Sequence, residues 1–304
     1  MINRILICFA ILIWVSNSAY AQNESDERVT LYPKRGIRYL SKDSSFSVAF
    51  RFRLQNQASL QTLSAQDLTL SQSEARIRRL RMRIEGFLVN PKLTYYIQLA
   101  FSRADLDVRE DTPPNIARDA IVYYAPWSFL KLGFGQAKLP GNRQRVISSG
   151  NLEFAERSLA NTRFTIDRDF GLFTYFTFGD KRPVSVKTVI STGEGINALD
   201  DYGHYCYTGR LEWLPFGQFF NVGDYSEGDW DLNEKPKLSV GATFSYNVKT
   251  SQTGGQLGVP LYRQTDIRSG FIDLMFKYKG LSLLGEYFYR STPGSPQEQT
   301  AKPT

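Results

Sequence analysis

The chain has 304 residues, with 37 Lys plus Arg against 30 Asp plus Glu and a formal net charge of +7. A mean hydropathy of −0.33 with 22% charged residues argues against a bundle of membrane helices. It leaves a membrane barrel open, because only every second residue of a barrel strand meets lipid.

Taken in order, Met1 to Arg4 opens with a positive charge, Ile5 to Val15 is apolar, and Ala19-Tyr20-Ala21 precedes Gln22. This is the pattern of a secretory signal peptide over 1–21, cleaved after Ala21. Its apolar run is too short to span a bilayer as a helix. Removing Arg4 with the signal leaves 36 − 30 = +6. Cys8 departs as well, so Cys206 stands alone and no intrachain disulfide is expected. Residues 22–44 are polar and read as an irregular periplasmic extension, and a barrel is expected over 45–304.

Ser45 to Gln55 is the first clear strand, with Phe46, Val48, Phe50, Phe52 and Leu54 opposite Ser47, Ala49, Arg51, Arg53 and Gln55. A polar connection over 56–74 leads to a run in which Arg79, Arg81, Arg83 and Glu85 share one parity and Leu80, Met82, Ile84 and Leu88 the other. After Asn90-Pro91-Lys92 the alternation resumes through Phe101. A period of two with unlike faces is the mark of a strand between two different solvents. Further strands are expected near 118–125, 129–138, 169–178, 184–192, 205–214, 237–249, 270–278 and 281–290, about eleven in all. Most approach the ~9–11 residues that a tilted strand needs to cross a bilayer.

The connections alternate long and short, as in outer-membrane barrels with short periplasmic turns and long outer loops. The acidic stretch 215–236 breaks that rhythm. The expected fold is therefore all-β, an antiparallel transmembrane β-barrel. With an odd count and a last strand rising outward, the chain is expected to be C-terminally truncated, ending inside an outer loop.

With the apolar parity facing lipid, the lumen receives Arg51, Arg53, Arg79, Arg81, Arg83 and Lys131, among other charges. Residues two apart on a strand stand roughly 6.6–6.8 Å from each other, so the arginines form a row of steps for a small anion. A guanidinium stays charged, sheds water readily and matches phosphate oxygens with its fork. No enzymatic constellation stands out. His204 is the only histidine, no metal cluster or cofactor motif is apparent, and the acidic loop 223–234 lacks the calcium-loop pattern. Export argues against nucleic acid as a partner.

GFGQAKLPG (133–141), FAERS (154–158), DRDFGL (167–172), GRLEWLPFG (209–217), PKLSVGA (236–242) and KYKGLSLLGEYFYR (277–290) together resemble the phosphate-selective porin O/P family of Gram-negative outer membranes. The resemblance implies a sixteen-stranded barrel, usually a homotrimer embedded in outer-membrane lipid, that passes phosphate or polyphosphate. It implies that Leu139 to Ile166 folds inward to constrict the pore, making Arg143 and Arg145 candidates for the constriction. The expected function is passive diffusion of small anions. The alternatives are a nonselective general porin, or an outer-membrane binding or adhesion barrel using its long loops.

Overall fold

A computed structural model describes residues 28–32, 36–106, 115–154, 156–198, 203–254, 258 and 260–293. The export signal expected over 1–21, the acidic residues Asp107, Glu110 and Asp111 and the polar tail from 294 lie outside the described residues.

The alternation becomes one antiparallel sheet. Its strands are β1 (Arg28–Tyr32), β2 (Gly36–Leu40), β3 (Phe46–Thr62), β4 (Leu70–Leu88), β5 (Asn90–Ala100), β6 (Ala117–Trp127), β7 (Leu130–Lys138), β8 (Arg168–Phe178), β9 (Val184–Ser191), β10 (Cys206–Trp213), β11 (Lys237–Gln252), β12 (Pro260–Tyr278) and β13 (Leu281–Ser291). They lie side by side in chain order, with β1 and β13 at the two edges of the 13-stranded sheet.

The expected strands are present as β3 to β13, but the count of about eleven is two short. The additional pair, β1 and β2, lies in the 22–44 stretch expected to be irregular. Each is only 5 residues long, too short for a period of two to stand out. Pairing supplies what the sequence pattern lacks: β2 lies against β3, with Ile37 opposite Phe50 and Leu40 opposite Ser47.

The connections expected at 56–74 and 250–268 are also mostly strand, since β3 and β4 pair out to Thr62 and Leu70 and β11 and β12 to Gln252 and Pro260. Away from lipid a strand can have water on both faces. Backbone pairing then needs no apolar parity, and the sequence period disappears.

Burial is inside out. Phe52, Leu54, Phe134, Phe244, Ile272 and Tyr287 are exposed on the outer face, while Arg210, Glu212, Asp273 and Lys277 are buried on the inner one. A soluble sheet places its residues the other way round. Trp127 and Phe129 stack at 5.8 Å, and Phe129 stacks on Phe178 at 6.5 Å. These rings sit at the end carrying the short turns, where an interfacial aromatic girdle belongs.

The sheet curls around the segment between β7 and β8. Arg53 of β3 donates to Ser148 Oγ in that segment at 3.1 Å, and Asn142 in the same segment donates to Glu286 of β13 at 3.2 Å. Beneath it lies a small interior apolar cluster of Ile121, Ala137, Leu139, Phe173 and Val189, with Tyr96, Tyr123, Ile166 and Tyr175 against it.

Candidate functional site

The arginines read from parity meet as cross-strand neighbours. Arg51 lies opposite Arg83, Arg53 opposite Arg81, and Gln55 opposite Arg79. Like charges directly opposite destabilise a sheet, so the neighbours of each guanidinium decide whether the cluster is tolerable.

Arg81 is gripped by Asp105, with Nε to Oδ2 at 2.6 Å and Nη2 to Oδ1 at 2.7 Å. Its Nη1 donates to Ser149 Oγ at 2.9 Å. Arg83 pairs with Glu85 and lies 4.6 Å from the centre of the Tyr96 ring. Arg53 is held by neutral hydroxyls, with Nη1 to Ser148 Oγ at 3.1 Å and to Ser149 Oγ at 3.3 Å. Gly150 permits that approach: a Cβ there would stand 2.5 Å from Arg53 Cζ. Burial acts to raise the Asp105 carboxyl, but the hydrogen bonds and charge of Arg81 outweigh it and hold the group below its ordinary value.

Beside these groups is a cavity of about 560 Å³. Its cationic lining is Arg38, Arg51, Arg53, Arg81, Arg83, Lys131, Lys138 and Arg168, against Glu85 and Asp119; Ser148 and Ser149 of the inserted segment complete one wall. Lys131 Nζ lies 3.8 Å from the centre of the Tyr123 ring. Lys138 donates to the carbonyl oxygens of Arg145, Val146 and Ile147 at 2.9, 3.3 and 3.3 Å. Arg168 takes both oxygens of Asp119, at 2.9 and 3.2 Å. Cationic side chains thus outnumber carboxylates on a wet wall, which attracts small anions and disfavours cations.

Of the residues read from sequence, Arg51, Arg53, Arg81, Arg83 and Lys131 line this one cavity, and Arg79, Arg143 and Arg145 do not. Arg79 is buried and bonds Gln55 Oε1 at 3.3 Å and Glu156 at 3.4 Å. A register shift at Gln55/Asn56 brings its neighbour Arg78 onto the same carboxylate, with Nη2 to Oε2 at 2.9 Å.

Arg143 and Arg145 sit on the inserted segment, in the short helix Arg143–Val146. Arg143 is fully buried and bonds Asp273 at 3.0 Å and Ser239 Oγ at 2.6 Å, while Arg145 holds Asp167 at 2.7 Å. Arg143 thus anchors the segment to β11 and β12, and Arg145 ties it to its own end just before β8; a buried guanidinium without a partner is too costly.

Asp105, Asp119, Lys138, Ser148 and Ser149 escaped the sequence reading. Asp119 was within reach, since Ala120, Val122 and Tyr124 on the outer parity of β6 put Asp119 on the inner one. Lys138 ends β7, Asp105 lies in the turn after β5, and Ser148 and Ser149 lie within the inserted segment, where no period marks them.

Residues 50–188 match the family model for phosphate-selective porin O and P. No curated protein matches the chain. Among solved structures, the chain is similar to OmpT, an in-vitro folded outer-membrane protein of Vibrio cholerae in its trimer form. The likeness has 11% identity and a TM-score of 0.30, over 82% of this chain and 89% of that one. The matched stretch contains the five arginines read from β3 and β4, Lys131 and the whole inserted segment.

Proposed function

We propose that the chain forms the wall of an outer-membrane channel that passes small anions of the phosphate class by diffusion. The path runs beside the inserted segment, along Arg51, Arg53, Arg81, Arg83 and Lys131. The observation that carries the reading is the facing pair Arg53 and Arg81, joined through Ser149 at the edge of the basic cavity. A tetrahedral oxyanion arriving there can accept from both guanidiniums by displacing the neutral Ser148 and Ser149 hydroxyls, which are weaker acceptors for a guanidinium than an anion is.

A water-filled path of this kind requires no chemistry of the protein, only a field and a width. The matched family also supports a Gram-negative outer-membrane location and a homotrimer.

The test is a chloride current through the full-length protein in a planar bilayer, titrated with inorganic phosphate. The reading expects phosphate to block the chloride current in a saturable way, with weaker block in Arg53→Gln. Chloride current indifferent to phosphate would remove the phosphate class and leave a general porin, a reading favoured by the carboxylates of Asp105 and Glu85 on Arg81 and Arg83.

A further inference from the structure

The stretch 214–236 is anomalous: it joins β10 to β11 at the end of the sheet where the other described connections are short. It does not hang outside that end. From Leu214, whose amide donates to Pro183 O at 3.0 Å, the chain turns back into the interior. There the Tyr225 hydroxyl donates to Glu212 of β10 at 2.7 Å.

The stretch then meets the inserted segment from the opposite side. Glu227 N donates to Asn151 O at 2.8 Å, Asn151 Nδ2 to Tyr225 O at 3.2 Å, Gln144 Nε2 to Glu227 Oε1 at 3.0 Å and Glu153 N to Glu227 Oε2 at 2.8 Å. Gly228 allows the close approach, for a Cβ there would stand 2.4 Å from Glu153 Oε1.

Several side chains of the wall hold it, Glu212 and Ser282 among them, and one reaches into the turn itself. Lys277 of β12 is almost fully buried. Its ammonium donates to Gly223 O at 2.8 Å, Ser226 O at 2.9 Å, Ser226 Oγ at 3.1 Å and Gly228 O at 2.6 Å. An ammonium has three protons and no acceptor, so every donor is satisfied by the turn it holds.

We propose that 214–236 is a second inward constriction, latched by Lys277, which with the inserted segment fills the β9–β13 side of the lumen and confines permeation to the basic cavity on the β3–β7 side. The inference rests on the channel reading. The turn makes the arginines selective by removing the route that would bypass them.

Two variants of the full-length protein test this in planar bilayers: Lys277→Met, and replacement of residues 218–232 by a short Gly-Ser turn. Both should raise single-channel conductance by about twofold or more as a wider lumen opens, and both should lower the anion-to-cation permeability ratio. The Gly-Ser variant serves if Lys277→Met fails to fold. Wild-type conductance and permeability ratio in the Gly-Ser variant would overturn the proposal. If the wild-type protein conducts nothing, the channel reading falls, and hydrogen exchange at the Glu227 amide decides the latch. Slow exchange in wild type and fast exchange in Lys277→Met would support it; fast exchange in both would overturn it.

Discussion

Asp105 controls how much of Arg81 an entering anion can feel. Both its oxygens are engaged by that guanidinium, and Arg118 stands 3.5 Å from it on another side. Asp105→Asn should raise the anion-to-cation permeability ratio, read as a shift in reversal potential under a salt gradient. It should also cost about 1–3 kcal/mol of stability, because a buried charge-assisted hydrogen bond is lost; denaturant titration measures that. Arg53→Gln should act in the opposite sense on selectivity with a smaller stability cost, since its partners are hydroxyls.

Glu156 gives the site a pH signature. The hydrogen bond from Arg78 holds its carboxyl below the ordinary value. A depressed carboxylate stabilises the fold above its unfolded pKa, and that stabilisation is lost as pH falls through the folded value. The inserted segment should therefore stay anchored to β4 through mildly acidic pH and loosen only below the ordinary carboxylate range. Glu156→Gln should loosen it at neutral pH, with hydrogen exchange across the segment as the readout.

At the scale of elements, the strands were legible and the inserted segments only partly so. β4 shows why strands can be read: lipid on one side and water on the other impose a period of two that no loop imitates. The far ends of β3 and β4 lost that period where water lies on both faces. The pairing of Arg143 with Asp273 spans 130 residues of chain, and no local pattern announces a partner at that distance. The inward course of 214–236 was equally hidden, since its acidic residues look like a solvated turn until Lys277 is seen inside it.

The anchors predict how the inserted segment fails. Arg143→Met removes the bond to Asp273 while Arg210 still holds that carboxylate at 2.6 and 2.9 Å. The partner is thus not orphaned, and the cost should fall at or below the low end of the ~3–5 kcal/mol typical of broken buried pairs. Conductance should rise as the segment loses its tie to β12, which single-channel recording would show.

For the whole molecule, the two sides of the lumen differ in electrostatic character. Against β9–β13, Arg143, Arg210 and Lys187 are matched by Glu212, Asp224 and Asp273, and the inserted segments fill the space. Against β3–β7, cations exceed acids around an open cavity. Charge on the first side holds structure; charge on the second faces water. The modest net charge of the chain conceals this division, which only the fold makes visible.

The most direct test of an arginine-lined anion path is the zero-current potential of the full-length protein in a planar bilayer under a potassium chloride gradient, for wild type and for the Arg53→Gln/Arg81→Gln double variant. The account predicts an anion-selective potential in wild type and a shift toward zero in the variant. A cation-selective wild type, or the same potential in both proteins, would contradict it.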